Sequence, residues 1–177
     1  MKEDARARLQ RHLQVIDADV EPVTQRYRAH IECTKGCSDC CQQTFRVSRL
    51  EGAYLREGLA ALPQDVREDI LQRARTYAPD ERQPCPVLSC EGACRMYEHR
   101  PRICRKYGIP LWSPQRPDRV DTCPKNFVGV HDIDAGLIVD PQARWAEAWI
   151  EIRDAEESAR STDTIAAHLL ESLSGDA

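Results

Sequence analysis

The sequence predicts a mainly α-helical fold with irregular, cysteine-rich loops. Apolar residues recur every three or four positions near both ends of the chain, as they do on one face of a helix. Between these regions lie nine cysteines and most of the eleven prolines, in stretches with little periodicity. Because 177 residues suffice for one core and are few for two, we expect a single domain over residues 1–177.

The first predicted element is a helix over residues 3–31. Its apolar stripe consists of Leu9, Leu13, Ile16, Val20, Val23, Tyr27 and Ile31. Pro22 interrupts this stripe, so either the helix kinks there or a second helix begins with Pro22 in its first turn. We expect the stripe to face the core rather than a coiled-coil partner.

Two further helices are predicted in the middle of the chain. Ser48 and Glu51 form the S-x-x-E pattern of a capping box, which places a helix start near Arg49 and its end before Pro63. Residues 64–78 have an apolar face and stop at Pro79. The apolar face consists of Val66, Ile70, Leu71 and Ala74.

Residues 84–129 have little periodicity and are rich in proline and cysteine. Only residues 100–108 indicate a short helical turn, closed by Gly108. Such a segment buries few apolar groups and must satisfy many backbone groups, so cross-links are the expected means of holding it in one conformation.

Helices are predicted again over residues 141–173. Residues 136–140 indicate a short strand, and Asp140 followed by Pro141 is a good helix start. The first helix carries an apolar stripe at Trp145, Trp149, Ile152 and Ala155. The second helix, over residues 161–173, has Ile165, Leu169 and Leu173 facing inward.

The overall composition favours a cytoplasmic protein. The net charge is −4, the pI is about 5.8 and the mean hydropathy is −0.59. No apolar run approaches the roughly 20 residues of a membrane span, and the N-terminus lacks the apolar segment of a secretory signal. We therefore expect no membrane and no nucleic-acid partner, and leave open an unknown protein partner.

The cysteines predict a metal centre, because cytosolic thiols stay reduced and a dense set of them indicates metal binding or catalysis before disulfides. Cys37-x2-Cys40 has the chelating spacing used by zinc and by iron–sulfur clusters. Adjacent Cys40 and Cys41 fit poorly on one ion, so they serve two nearby sites or one of them bridges two ions. The remaining ligands are expected at Cys85, Cys94, Cys104 and Cys123.

Basic residues are concentrated beside these cysteines. They are Arg95, Arg100, Arg102, Arg105 and Lys106, against only Glu91 and Glu98. A four-thiolate site holding a divalent ion is negatively charged and needs positive neighbours. The interpretation is that these side chains compensate thiolate charge, which does not distinguish zinc from iron.

The cysteine pattern resembles a known family. The segments "CTKGCSDCC" and "CPVLSCEGACRMYEHRPRICRKYG", with a later "CP" at Cys123, are similar to bacterial cysteine-cluster proteins of the YkgJ type, described as zinc- or iron-chelating. The resemblance covers residues 33–125. It implies that Cys33 completes a set of eight ligands, that Cys90 is the spare thiol, and that Arg100, Pro101 and Arg105 position the third block.

We therefore predict a metal-binding protein in which a zinc or iron–sulfur centre staples the loops. One alternative is an iron–sulfur redox protein or an enzyme that uses S-adenosylmethionine, so whether the protein is an enzyme stays open. The C-x3-C-x2-C spacing of Cys33, Cys37 and Cys40 is that of radical-SAM enzymes, but repeated βα units are not evident.

Two further functions account for fewer of the cysteines. In a thiol redox sensor, Cys37 and Cys40 would form a dithiol whose pKa is lowered by Lys35. A Cys–His enzyme would need a paired histidine, and the histidines are scattered. Of these, His99 and His131 lie near enough to the cysteine blocks to replace a ligand, whereas His168 is expected to be a surface or core residue.

Overall fold

The computed structural model describes residues 3–34, 36–155 and 161–171. The helices in these ranges are α1 Glu3–Arg26, α2 Arg49–Ala60, α3 Gln64–Arg75, α4 Arg102–Lys106, α5 Glu147–Asp154 and α6 Ile165–Leu170. The mainly helical class is therefore confirmed. None of the helices in the described ranges has both the length and the apolar character that crossing a bilayer requires.

Helix α1 passes through Pro22 without a second helix starting there. The proline ring lies on the exposed side of the helix, and the Thr24 hydroxyl donates a hydrogen bond of 2.7 Å to the Val20 carbonyl. The helix ends at Arg26, before the predicted limit at residue 31, and a 3-10 turn at Arg28–His30 follows.

The apolar stripe of α1 is buried and joins two parts of the core. Its first half packs in a cluster formed by Ala5, Leu9, Leu13, Leu50, Tyr54, Trp149 and Ile152. Its second half packs in a cluster formed by Ile16, Val23, Tyr27, Ile109, Phe127 and Trp145. The prediction that this face is turned towards the core is confirmed.

Helix α2 begins with the predicted capping box. The Ser48 hydroxyl accepts a hydrogen bond from the Glu51 N–H, and the Glu51 carboxylate accepts one from the Ser48 N–H. Helices α2, α3 and α6 then enclose the largest core cluster. Its members are Val47, Leu55, Leu59, Ile70, Ala74, Cys85, Val87, Met96, Ile165, Ala166 and Leu169.

Two small antiparallel sheets complete the described fold. Strand β1 (Arg46–Ser48) pairs with β4 (Thr162–Thr164), and β2 (Leu111–Ser113) pairs with β3 (Arg116–Asp121). The strand predicted at residues 136–140 is not formed. A 3-10 turn occupies Ala135–Leu137, and Val139 makes only a single bridge to Leu111.

The C-terminal helical region differs in detail from its prediction. The Asp140 carboxylate accepts hydrogen bonds from the N–H groups of Gln142 and Ala143, as a helix start requires. A π-helical turn at Gln142–Ala146 precedes α5. Residues 162–164, predicted as helix, form β4 instead, and the predicted inward position of Leu173 lies outside the described residues.

Candidate metal centre

The cysteines come from three segments that converge in space. A 3-10 turn at Asp39–Gln42 carries Cys40 and Cys41, and the Cys41 carbonyl accepts a hydrogen bond of 2.7 Å from the Cys85 N–H. This backbone contact brings the first cysteine loop against the second segment, as a shared or adjacent site would require.

Four cysteines form what we call the inner group: Cys41, Cys85, Cys94 and Cys104. The first three contact or belong to the largest core cluster, and Cys104 lies beside Cys85 and Cys94. Burial is the main cause that raises the pKa of Cys85 to about 11, and the charge of nearby Cys94 acts in the same direction. Burial also raises the pKa of Cys104, followed by the charges of Cys85 and Cys94. These thiols are close enough to oppose one another's ionisation, so a cation is the natural partner for them as thiolates.

The other four cysteines form an outer group: Cys33, Cys37, Cys40 and Cys123. The pKa of Cys33 is raised by burial first, and then by the charges of Cys123, Cys37 and Cys40. Although Cys33 is exposed as a residue, its sulfur packs against Asn126 and Gly108. A Cβ added at Gly108 would lie 3.3 Å from the Cys123 Cβ and 3.4 Å from the Cys33 Sγ, which places these two cysteines on either side of one glycine.

Cys40 lies between the two groups. Its thiol shares a hydrogen bond with the Cys41 thiol, which lowers the pKa of Cys40 to about 7 and raises that of Cys41. The charge of Cys40 also raises the pKa of thiols in both groups, namely Cys33, Cys41, Cys85, Cys94 and Cys104. The adjacent pair therefore connects the two groups.

The donor set fits a thiolate-bound metal, although the side chains are not in ligating positions. Within residues 3–34, 36–155 and 161–171, no three His, Cys, Asp or Glu side chains are arranged to hold an ion as they stand. A cysteine sulfur is positioned by a single side-chain torsion, so a change of rotamer moves it several ångströms. Neighbouring thiols, partly or fully buried, are the donors that zinc and iron–sulfur clusters use.

Cys90 is placed apart from both groups. It is exposed, and its thiol donates a hydrogen bond of 2.9 Å to the Glu91 carboxylate. Its pKa is raised by this hydrogen bond and by the charge of Glu91 rather than by another thiol. This position supports the prediction that Cys90 is the spare cysteine.

Glycines allow the first and second cysteine segments to approach closely. Gly92 has a φ of +75°, and a Cβ added there would lie 2.9 Å from the Gly36 carbonyl oxygen. Gly36 itself has a φ of +100°. Larger residues at position 92 would push the two loops apart.

Few of the basic residues near the cysteines act on the thiols themselves. Burial raises the pKa of Cys94, Cys104 and Cys85; Arg100 opposes this rise at the first two and Arg73 at the third, so these two arginines offset part of the thiolate charge. Arg105 instead donates to the carbonyls of Arg100 and Glu98 and pairs with Asp17 of α1.

The other three predicted basic residues contact groups away from the thiols. Arg95 pairs with Asp69 at 2.6 Å. Arg102 stacks 3.5 Å above the Trp149 ring, and Lys106 lies 5.7 Å from the Trp145 ring. Most of the basic segment therefore anchors α4 to its neighbours instead of facing the cysteines.

The three histidines considered in the sequence analysis differ in their surroundings. His99 packs against the Tyr54 ring at 4.6 Å, and His131 is exposed. His168 is 1% exposed and contacts the Glu171 carboxylate and the Val47 carbonyl at 3.0 Å each, which confirms it as a core residue. Lys35, proposed to lower a thiol pKa, lies outside the described residues.

Sequence reasoning missed Asn126, which is 4% exposed beside the outer group. Its side-chain amide donates to the Cys33 sulfur at 3.3 Å and to the Gly108 carbonyl at 2.9 Å, and its oxygen accepts from the Glu32 N–H at 3.0 Å. It is the only asparagine of the chain, but that fact does not by itself indicate a role.

Comparison with known proteins gives one match. The family named CxxCxxCC, described as a "putative zinc- or iron-chelating domain", matches residues 32–126. No curated protein and no solved structure matches the chain. The chain has three residues between Cys33 and Cys37 where the family name has two. Because the match covers more than half of the sequence and all nine cysteines, the chain belongs to the CxxCxxCC family.

Proposed function

We propose that this protein is a metal-binding protein with two adjacent four-cysteine centres, one on the inner group and one on the outer group. The observation that carries the proposal is the division of eight thiols into two neighbourhoods that meet at the adjacent Cys40 and Cys41. The proposed ligands are Cys33, Cys37, Cys40, Cys41, Cys85, Cys94, Cys104 and Cys123.

The metal would stabilise the irregular part of the chain. Burial raises the pKa of the inner thiols, so without a cation they stay protonated. In that form each thiol stabilises the fold only about as much as a small apolar side chain does. Coordination removes their protons and joins residues 33–41, 85–104 and 123 through strong bonds. These segments contain few helices and strands in the described structure. Metal–sulfur cross-links would therefore hold them together where regular backbone hydrogen bonding is sparse.

The fold supports a binding role over radical-SAM catalysis. That enzyme class needs repeated parallel βα units. The paired strands of the described residues are short and antiparallel, in two sheets of two strands. A four-sulfur site suits zinc or an iron–sulfur cluster, and the choice between them is open to measurement.

Metal analysis of the anaerobically purified protein, with no metal added, tests this proposal. We expect about two zinc ions per chain, or iron with acid-labile sulfide and broad absorbance near about 400 nm. Replacing Cys90 by serine provides the control, because this thiol lies outside both groups. Folded protein that holds fewer than two metal ions per chain after incubation with zinc or ferrous iron would contradict the proposal.

A further inference from the structure

An open cleft leads from the surface to the outer group. Its volume is about 490 Å³, and its walls include Cys40 and Cys123. Gln43 and Tyr107 stand beside these cysteines, with the Gln43 side chain donating to the Tyr107 hydroxyl at 2.9 Å. Two proposed ligands of one centre are therefore reachable from solvent through a defined passage.

The inner group is placed differently. The walls of this cleft are built by residues 39–40, 42–44, 79–82, 107 and 123–124, and the four inner cysteines are outside them. Cys85 is buried, and Cys41, Cys85 and Cys94 pack against the largest core cluster. The cleft therefore opens onto two outer cysteines and onto none of the inner ones.

The mouth of the cleft favours cations. Asp39, Asp80 and Glu81 line it, against a single basic residue, Arg82, among the wall residues. Asp39 is held by Lys125 at 2.8 Å, and Asp80 and Glu81 are further exposed carboxylates of the lining. Acidic walls raise the local concentration of a hydrated divalent cation and speed its capture by a ligand below.

We propose that this cleft is the passage by which a divalent metal ion enters and leaves the outer centre, so that the outer ion exchanges while the inner ion is retained. The inference rests on the proposed function, because it assumes that both groups bind metal. Under it, the protein combines a permanent ion that holds the fold with an exchangeable one open to solvent.

Release of zinc to an excess of a chromogenic chelator tests the difference in access. The full chain is first loaded with zinc and its metal content measured. We expect two release phases of equal amplitude. Replacing Gln43 by tryptophan fills the cleft and slows the fast phase at least about tenfold, while the slow phase is unchanged. The control is Gln14→Trp, on the exposed side of α1 away from the cleft.

The outcomes separate the two proposals. Failure of the folded protein to hold either two zinc ions or two iron–sulfur clusters contradicts the two-centre function itself. Loading of two ions followed by a single release phase, or a fast phase that Gln43→Trp leaves unchanged, overturns the passage while the two centres stand.

A second measurement uses the charges of the mouth. Asp80→Asn combined with Glu81→Gln should slow zinc uptake by the metal-free protein about threefold or more at low ionic strength, and the difference should vanish in high salt. The control is Asp118→Asn combined with Asp132→Asn, which removes the same charge from exposed positions outside the cleft. Equal slowing by both double variants would show a general charge effect and contradict steering by the cleft.

Discussion

The side-chain amide of Asn126 donates a hydrogen bond of 3.3 Å to the sulfur of Cys33. The same side chain holds the Gly108 carbonyl and the Glu32 N–H, so one buried residue fixes the backbone on both sides of the outer group. Hydrogen bonds of this kind orient metal ligands and favour the thiolate.

Replacing Asn126 by alanine should weaken the outer centre. We expect zinc affinity there to fall about 10- to 100-fold, as is typical when a partner of a metal ligand is lost. The free energy of unfolding should fall by about 1–3 kcal/mol, because buried backbone groups lose their partners. Competition titrations with a zinc chelator measure the affinity. Gln115→Ala, which removes an exposed amide, is the control; a loss of stability with both zinc affinities unchanged would contradict the orienting role.

Replacing Gly92 by alanine should separate the first two cysteine segments. The residue has a positive φ, and the added Cβ would meet the Gly36 carbonyl at 2.9 Å. The matched control is Gly129→Ala, since Gly129 has a φ of +76° and open space around the added Cβ. The control should cost only the backbone strain, about 1–2 kcal/mol. Thermal unfolding of both variants should show a larger loss for Gly92→Ala, and equal losses would mean that the contact with Gly36 is unimportant.

Replacing Cys94 by serine should remove the inner metal ion and lower the melting temperature, because a thiolate ligand joined to the core is lost. Cys90→Ser should change neither quantity, since Cys90 is exposed and bonded to Glu91. Metal analysis measures the metal content per chain, and differential scanning calorimetry measures the melting temperature. An equal loss of metal in the two variants would show that Cys90 is a ligand.

His12 should make the protein less stable in mild acid. Burial lowers its pKa to about 4, with a further contribution from Arg102, whereas an unfolded histidine titrates near 6.5. A lowered histidine pKa gives stability that is complete above pH 6.5 and is lost as the pH falls towards 4. The loss is at most about 3 kcal/mol.

The variant His12→Phe isolates this contribution, because a phenyl ring keeps the stacking on Trp149 and cannot gain a proton. It also removes a buried ring nitrogen that has no hydrogen-bond partner among the described residues. Urea unfolding of both proteins, in the same metal state, should give a difference in stability that is constant above about pH 6.5 and a steeper decline of the native protein below about pH 6. Parallel curves over this range would rule out a role for His12.

Local signals predicted the helices well. The capping box of Ser48 and Glu51 depends on residues three positions apart, so its pattern is readable in the sequence and recurs in the structure. Pro22 shows the limit of such signals, because a proline on the exposed face of a long helix is tolerated when the opposite face is well packed.

Contacts between residues far apart in the chain could not be predicted from the sequence pattern. Strand β4 was predicted as helix because Thr162 and Thr164 gain their strand conformation only from pairing with β1, whose Arg46 contacts Asp163 117 positions away. Asn126 likewise acts through groups brought near by the fold. The cysteine spacing predicted a set of eight candidate ligands, but their grouping into two neighbourhoods depends on which loops touch, which the spacing does not show.

The pairing of β1 with β4 joins the middle of the chain to its C-terminal region, which bears on whether a shorter fragment could fold. The family match ends at residue 126, yet Ile165, Ala166 and Leu169 of α6 fill the cluster that surrounds Cys85, and α1 and α5 cover Tyr54. A fragment limited to residues 32–126 would expose that apolar surface to water. In this chain the segment that matches the family is therefore not a self-sufficient folding unit, because flanking helices cover its apolar surface.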